Sequence, residues 1–400
     1  MKILNVHNAH AFPGGMEVVF AGLTRLLRAR GHEVVELSKD NSQLRSVFSK
    51  LAAFGGAIYS PSVYREVRAL LDRERPAVAH VHNLYPQFST SALDALRDAG
   101  VPVILHAGDY KLTCPTAQHL RHGAICEKCL GGREWNAAIH NCRGSVPMSV
   151  AYALRNAWAR LSGSVHAAVS AYACPTQFTA DLLVRGGFPA DRVRVLPNFL
   201  DLPDAPPPAQ SSSQPPKLGD AFGYLGRISP EKGIDVLAEA ARLADVQAPI
   251  AGDPTPFPHL VADLPPNVKA IGKVGRDQLD NFFAGLRALI VPSVWYEVFG
   301  LVCIEALSRG VPVIASNIGG LPEVVQHEET GLLVPHGDPA ALAAAIARLR
   351  DDEPFARRLG ERGRAVVRQR FSIDAFYRQL RSLWDDVLAD SMSQAALMSH

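Results

Sequence analysis

The sequence predicts an α/β protein of two similar domains, each built on a parallel sheet covered by helices. The first observation is that apolar strands alternate with helix-period stretches. Residues 3–6 form an apolar strand, a helical pattern runs to about residue 31, and residues 34–37 form a second strand. Strand–helix–strand units of this kind build parallel sheets. The second observation is that this alternation stops near residue 200 and restarts near residue 219. The length of 400 residues is ample for two cores.

The predicted domain boundaries follow from a change in composition. Residues 202–217 contain six prolines and three consecutive serines, so this segment cannot bury a core. We therefore expect a first domain at 1–200, a linker at 201–218 and a second domain at 219–370. Apolar residues at helical spacing predict a final helix at 371–390 that packs back on the first domain. Further strands are expected at residues 78–81, 101–105, 167–170, 222–226, 249–252, 288–291 and 313–315.

The bulk composition excludes some functional classes. A formal net charge of +2 provides no strong field for nucleic acid. No apolar run approaches the roughly 20 residues that span a bilayer. The first residues turn polar too early for a signal peptide, so we expect a cytoplasmic protein.

A phosphate site is predicted in the octapeptide from Gly226 to Gly233, which reads Gly-Arg-Ile-Ser-Pro-Glu-Lys-Gly. It lies between a strand and a helix, where parallel sheets bind ligands and a helix N-terminus attracts anions. Arg227 and Lys232 add two cations, and an arginine binds phosphate through two parallel hydrogen bonds. Taken alone, the octapeptide is equally well read as a solvated basic turn.

Two carboxylates strengthen the prediction of a ligand site. Glu297 precedes a turn at Gly300, and Glu305 follows inside an apolar helical segment. At one sheet edge, such a pair can meet different hydroxyls of one ligand. A structural role for Glu305 is disfavoured because an unpartnered carboxylate is costly to bury.

Together these motifs resemble the retaining glycosyltransferases of family 4, also called group 1. The resemblance rests on the octapeptide, the two glutamates, and two further motifs at residues 319–325 (Gly-Gly-Leu-Pro-Glu-Val-Val) and 331–335 (Gly-Leu-Leu-Val-Pro). These elements occur in the family's order, and the resemblance covers nearly the whole chain. It implies the GT-B fold, in which two Rossmann-like, doubly wound domains face each other across a cleft.

The resemblance also implies roles for individual residues. Arg227 and Lys232 would bind the donor diphosphate, Glu305 the ribose and Glu297 the transferred sugar. Other residues of the implied donor site act through their backbone or allow its close approach: Gly14, Gly15, Gly226, Phe299, Gly300 and Leu301. The implied chemistry is front-face displacement with retention, in which the leaving diphosphate takes the acceptor proton. It requires no catalytic metal.

The function predicted in this way is sugar transfer from a UDP- or GDP-linked donor. The acceptor would be a saccharide, a lipid-linked or a small molecule, in polysaccharide or glycoconjugate biosynthesis. Two alternatives stay open. One is another enzyme of the same fold, such as a nucleotide-sugar epimerase or a phosphorylase. The other is a non-catalytic partner protein that binds nucleotide sugars.

The first half departs from the family at one position. The family places a histidine at a strand end directly before an Asn-Tyr or Asp-Tyr pair, where it contacts the donor sugar. Here Gly108 precedes Asp109-Tyr110, and His106 lies two residues earlier, on the same face of an extended strand. Either His106 takes the role from a shifted position, or the contact is absent and His106 is structural.

Four cysteines follow at the spacing C-x11-C-x2-C-x12-C: Cys114, Cys126, Cys129 and Cys142. The close pair is typical of a zinc knuckle, and four thiolates make a closed structural zinc site. The segment at about 110–145 is poor in apolar residues, so a metal would supply folding free energy. Free thiols, a disulfide or an iron–sulfur site are the alternatives.

Two stretches suggest contact with the inner face of a membrane. Residues 44–54 place apolar residues on one helical face beside two cations, and residues 146–169 are similarly amphipathic. The competing interpretation is that both helices pack on their own domain.

Overall fold

The computed structural model describes residues 1–9, 14–40, 56, 58–200 and 218–398. The amphipathic stretch at 44–54 and the linker residues 201–217 lie outside the described residues. The chain divides into two compact units. The first comprises Met1–His119, Cys126–Pro197 and Tyr377–His400, and the second comprises Leu120–Ile125 and Asn198–Phe376.

Strands and helices alternate along much of the described chain. The strands are β1 (Lys2–Ala9), β2 (Glu33–Asp40), β3 (Val78–Asn83), β4 (Val103–His106), β5 (Leu120–Arg121), β6 (Ala124–Ile125), β7 (Val169–Cys174), β8 (Val193–Val195), β9 (Ala221–Leu225), β10 (Ala248–Ala251), β11 (Val268–Gly272), β12 (Leu286–Val291), β13 (Val313–Ser316) and β14 (Gly331–Val334). The α-helices are α1 (Gly15–Ala29), α2 (Pro61–Glu74), α3 (Ser89–Asp98), α4 (Trp135–Ile139), α5 (Val146–Leu161), α6 (Ser164–Ala168), α7 (Gln177–Arg185), α8 (Ile234–Ala244), α9 (Leu279–Ala284), α10 (Leu301–Ser308), α11 (Leu321–Val324), α12 (Pro339–Asp351), α13 (Glu353–Arg370) and α14 (Ile373–Met398).

The first unit is built on a six-stranded parallel sheet. Its strand order is β2-β1-β3-β4-β7-β8, so the order reverses between β1 and β3. Every residue of β3 is buried, because helices cover both faces of the sheet. This double burial explains why the strands read as nearly continuous apolar runs in the sequence.

The second unit repeats the architecture with the order β11-β10-β9-β12-β13-β14. The strand order of this sheet reverses between β9 and β12, which are direct neighbours. Ligands of doubly wound sheets bind beyond the carboxyl ends of the strands at such a reversal. The segments after β9 and β12 are the octapeptide and the loop that carries Glu297.

The predicted strands match the structure closely, with one error. The strand expected at 167–170 begins later, because Ser164–Ala168 form helix α6 and the strand is Val169–Cys174. Small alanine-rich segments fit a helical turn as well as a strand, so the apolar run alone misplaced the boundary. The final helix is Ile373–Met398, longer than the predicted 371–390. Within the described part of the chain, no helix is both long and apolar enough to cross a membrane.

Candidate active site

The octapeptide follows β9 and ends where α8 begins. Tyr224 donates a hydrogen bond from its hydroxyl to the Arg227 carbonyl (2.5 Å), which anchors the start of the loop. The Arg227 side chain is half-exposed and lies 3.4 Å from the buried carboxylate of Glu231. Residues Pro230–Lys232 form a single 3-10 turn. The loop therefore holds one cation towards solvent and directs the next one, Lys232, inward.

Lys232 and Glu297 form a buried ion pair at the carboxyl ends of β9 and β12. The Lys232 ammonium donates to Glu297 Oε1, and Ser293 donates to the same oxygen from Oγ (2.7 Å). Only 15% of the Lys232 side chain and 10% of the Glu297 side chain are exposed. Burial by itself would raise the pKa of Glu297. The charge of Lys232, with hydrogen bonds from Lys232 and Ser293, outweighs burial and lowers this pKa. Glu297 is therefore ionised at neutral pH.

The Gly-Gly motif at residues 319–320 supports the loop that carries Glu297. The Gly320 amide donates to the Glu297 carbonyl (2.7 Å). Gly319 has a positive φ of +60°, and a Cβ there would lie 2.5 Å from the Glu297 carbonyl oxygen and 2.6 Å from its nitrogen. Only glycine allows the two backbones to approach this closely. The close backbone contact of Gly319 and Gly320 thus fixes the position of Glu297.

Helix α10 presents unpaired groups at its start. Within the described residues, the amides of Phe299, Gly300 and Leu301 have no hydrogen-bond partner, as expected for the first turn of a helix. Glu305 lies further along the helix, and its carboxylate accepts no hydrogen bond from any described residue. Burial raises the pKa of Glu305, while Arg309 and Arg276 oppose this effect. Both features suit a ligand with anionic groups and hydroxyls.

The predicted glycine loop of the first unit is partly engaged by protein. The Gly14 amide donates to Glu17 Oε2 (2.7 Å), and the other oxygen of Glu17 lies 3.6 Å from His7 Nε2. Gly15 is the exposed first residue of α1. The N-terminus of this helix is therefore capped by its own carboxylate.

His106 ends β4 and belongs to a chain of three rings. Trp384 Nε1 donates to His80 Nε2 (2.9 Å), and His80 Nδ1 lies 2.8 Å from His106 Nε2. An indole N–H can only donate, so His80 accepts at Nε2 and carries its proton on Nδ1. That proton is donated to His106, whose own proton must then be on Nδ1. Burial lowers the pKa of His80 well below its usual value and that of His106 to about 4, so both rings are neutral at pH 7.

A fourth ring packs on His106, and a methionine lies beside Gly108. The buried His82 ring stacks on His106 with centroids 4.2 Å apart. At Gly108, a Cβ would lie only 2.0 Å from Met16 Sδ. Met16 thus occupies the space into which a side chain at position 108 would project.

The four cysteines lie in one segment of the first unit, and none of them forms a disulfide with any described residue. Cys114 is buried, Cys126 follows the β5–β6 hairpin, and Cys142 follows α4. Burial raises the pKa of Cys129 to about 12, and the three other thiols act on it in the same direction. Across the described residues, no group of three or more His, Cys, Asp or Glu side chains has an arrangement that could hold a metal ion. The zinc site stays a prediction.

Several residues around the site were missed by sequence reasoning. These are Met16, His80, His82, Ser293 and Trp384. A signal existed for two of them, because His80 and His82 alternate along β3 and therefore share a face. The contact of His80 with Trp384 joins residues 304 positions apart, which no local pattern indicates.

Families of known proteins match both halves of the chain. The family described as "Glycosyl transferases group 1" matches residues 210–366, and "Glycosyltransferase Family 4" matches residues 13–203. The chain is 28% identical over 385 residues to phosphatidyl-myo-inositol mannosyltransferase of Mycobacterium leprae, covering 91% of each chain. Other matches are shorter: the chain spans between 25% and 48% of the length of five further curated relatives.

Solved structures share the fold across nearly the whole chain. Sucrose-phosphate synthase of Thermosynechococcus elongatus superimposes with a TM-score of 0.69 at 21% identity, covering 97% of this chain and 99% of that one. HepE of Anabaena, in complex with UDP and glucose, superimposes with a TM-score of 0.64 at 18% identity, covering 96% of this chain and 100% of that one. The chain therefore belongs to the family 4, group 1 glycosyltransferases and has their GT-B fold.

Proposed function

We propose that this enzyme transfers a sugar from a UDP- or GDP-linked donor, with retention of anomeric configuration, in the cytoplasm. The acceptor is a saccharide, a lipid-linked or a small molecule of polysaccharide or glycoconjugate biosynthesis. The observation that carries the proposal is the buried Lys232–Glu297 pair at the reversal of the second sheet. A buried charge pair beside unpaired helix amides suits a ligand that carries both phosphates and hydroxyls.

The donor is bound by groups from two neighbouring strand ends. Arg227 and Lys232 neutralise the diphosphate, together with the amides of Phe299 and Gly300. Glu305, whose carboxylate has no partner among the described residues, accepts hydrogen bonds from the ribose hydroxyls. HepE, a protein of the same fold, has been solved with UDP and glucose, so UDP-sugars are the first donors to test.

The chemistry requires stabilisation of a leaving group more than a protein nucleophile. As the bond between the anomeric carbon and the diphosphate oxygen breaks, negative charge grows on that oxygen. Lys232 stabilises this charge from a largely buried position, where such interactions are strong, and the half-exposed Arg227 adds a second cation. The acceptor hydroxyl attacks from the same face, and its proton passes to the diphosphate oxygen. Glu297 holds Lys232 in place and accepts a hydrogen bond from the transferred sugar.

His106 contributes a neutral donor. Its tautomer leaves the proton on Nδ1, and its lowered pKa keeps the ring uncharged at pH 7. We propose that this N–H donates to a hydroxyl oxygen of the bound sugar. The role expected of a histidine at position 108 is then taken from two residues earlier.

The test is a calorimetric and turnover screen of the full chain across UDP- and GDP-sugars with a panel of acceptors. Arg227→Ala and Glu297→Gln are compared with Arg242→Ala and Glu239→Gln. The latter two change an exposed pair on α8 that lies outside the site. We expect loss of transfer by at least about a hundredfold in the first two variants, since each removes a preorganised electrostatic contact, and no change in the controls.

Two outcomes would replace the proposal. Donor turnover to a new nucleotide sugar, with no need for an acceptor, would identify an epimerase. Binding of nucleotide sugar without turnover of any kind would identify a non-catalytic partner protein.

We also propose that the four cysteines hold a structural zinc ion. All four lie in one apolar-poor segment without a disulfide, and the three others raise the pKa of Cys129, which disfavours its thiolate. A divalent cation would hold the four as thiolates and offset the repulsion between them. The ion would order the segment and take no part in the transfer.

Metal analysis of the purified protein tests the zinc proposal. We expect about one zinc per chain and its loss in Cys129→Ser, whereas Cys174→Ser, a buried thiol outside the segment, keeps the metal. Protein that contains neither zinc nor iron, and that folds equally well with a chelator present, would contradict the site.

A further inference from the structure

Helix α5 is inverted relative to an ordinary surface helix. Its buried face includes three polar side chains, Ser149, Arg155 and Asn156. Its exposed face carries large apolar side chains at intervals of four, four, four and three residues: Val146, Val150, Leu154, Trp158 and Leu161. Residues at these intervals lie on one side of a helix. The side of α5 that faces solvent is therefore apolar along the full length of the helix.

The buried polar side chains fix this orientation. Arg155 donates to the Pro115 carbonyl (2.9 Å) and the Asn156 side chain (2.8 Å), and it stacks over the Tyr85 ring at 4.4 Å. Asn156 in turn donates to the Lys111 carbonyl (2.6 Å). Rotation of the helix to bury its apolar face would leave these groups without partners, at a cost for each. The hydrogen bonds of the buried polar side chains thus keep the apolar face of α5 exposed to solvent.

Helix α4 packs against α5, and it also exposes large apolar side chains. Trp135 is 53% exposed and Ile139 is 70% exposed, and Leu161 at the end of α5 is 73% exposed. Of the fifteen large apolar side chains that are exposed among the described residues, eight lie between residues 135 and 161. We call these eight the apolar patch: Trp135, Ile139, Val146, Met148, Val150, Leu154, Trp158 and Leu161. A concentration of this kind marks an interaction surface.

The residues beside the apolar patch are basic. Residues 128–161 contain five Lys or Arg side chains and one acidic residue, Glu134. Four of the five cations are exposed: Lys128, Arg133, Arg143 and Arg160. Glu134 is buried and paired with Arg160 at 2.8 Å. Arg160 is therefore neutralised, and the other three exposed cations give this segment a net positive charge that suits an anionic partner.

We propose that the apolar patch docks on the surface of an anionic lipid bilayer. Apolar side chains would enter the boundary between headgroups and acyl chains, with the two tryptophans at the depth their amphipathic rings prefer. The surrounding cations would meet anionic headgroups. A second copy of the chain is a less suitable partner. A two-fold interface at the apolar patch would bring the basic residues of the two copies together, and like charges repel. This inference is independent of the proposed donor and chemistry, since it concerns binding without substrate.

Vesicle flotation of the full chain tests the inference. The probes are vesicles of phosphatidylcholine alone and of phosphatidylcholine mixed with phosphatidylglycerol, with no nucleotide sugar present. We expect binding to the anionic vesicles, weakened by salt. Leu154→Glu and Trp158→Glu should each reduce binding about tenfold or more, since each removes a large apolar side chain from the bilayer. Arg143→Glu should reduce binding to anionic vesicles by about tenfold while leaving the patch intact.

Leu243→Glu is the matched control. Leu243 is 48% exposed on α8 of the second unit, so its substitution has the same chemistry away from the patch. Thermal melting of each variant serves as a control for folding. We expect melting temperatures close to that of the wild type, because all the substituted side chains are exposed. Equal vesicle binding by wild type and Leu154→Glu would overturn the proposal. So would the absence of vesicle binding by wild type, or a concentration-dependent dimer that Leu154→Glu abolishes.

Discussion

Substitution of Gly319 by alanine tests whether this glycine positions the loop that carries Glu297. Its effect must be distinguished from the cost that any alanine pays in a left-handed backbone conformation. Gly337 provides the control, since it also has a positive φ (+72° against +60°), but no described residue lies within 4 Å of the place where its Cβ would be. In both variants the left-handed conformation costs roughly 1–2 kcal/mol. For Gly337→Ala that is the whole effect.

Gly319→Ala carries an additional cost. Its Cβ would lie 2.5 Å from the Glu297 carbonyl oxygen, where ordinary contacts are about 3.5 Å or more, so the Glu297 loop must move by about 1 Å. Overpacking of this kind adds roughly 1–3 kcal/mol of destabilisation. A displacement of about 1 Å also costs about a hundredfold in rate when it misplaces a catalytic contact.

The assay is thermal unfolding of the full chain together with kcat/KM for transfer. In a unit of this size each kcal/mol moves the melting temperature by about 2–4 °C, so Gly319→Ala should melt several degrees below Gly337→Ala. Transfer should fall about a hundredfold in Gly319→Ala and stay at the wild-type value in Gly337→Ala. Equal activity in the two variants would refute the claim that the Gly-Gly motif positions Glu297.

Three further predictions concern the first unit. Trp384→Phe removes the hydrogen-bond donor that sets the tautomer of His80, so nitrogen NMR should show His106 as a mixture of tautomers. In this variant kcat should fall by a larger factor than KM changes. An unchanged tautomer of His106 would contradict the hydrogen-bond chain. Gly108→Ala should displace Met16, lowering transfer while leaving donor binding by the second unit intact, and unchanged transfer would show that Met16 does not shape the site. His106 has a pKa of about 4 in the folded chain and about 6.5 when unfolded, so the unfolded state binds more protons between these pH values. The free energy of unfolding should therefore fall as the pH drops from 7 to 5, and His106 should account for about 1–2 kcal/mol of that fall. Thermal melts across that range check it, and a flat or opposite dependence would count against buried neutral imidazoles.

Much of the fold follows from local patterns in the sequence. Strands buried on both faces leave continuous apolar runs, and a proline-rich segment separates the two α/β patterns, so element types and order are predictable. The boundary near residue 167 was not, because alanine and serine fit a short helix as readily as a strand. Hydrophobic periodicity does not distinguish the two over five residues.

The candidate site divides in the same way. Lys232 and Glu297 were each recognisable from their motifs, and both strand ends meet at one edge of the sheet. The contacts that tune them depend on tertiary packing: Ser293 and Gly319 acquire their roles only when the loops come together. Met16 in the space beside Gly108 and Trp384 on His80 join distant segments, and no periodicity in either segment signals the contact.

The most direct test of the central claim is proton NMR of the running reaction with the best donor and acceptor from the screen. Sugar transfer with retention predicts that nucleoside diphosphate and glycoside appear in equal amounts and that the product has the anomeric configuration of the donor. Glu297→Gln should produce neither. An inverted product, or consumption of the donor without formation of a glycoside, would contradict the account.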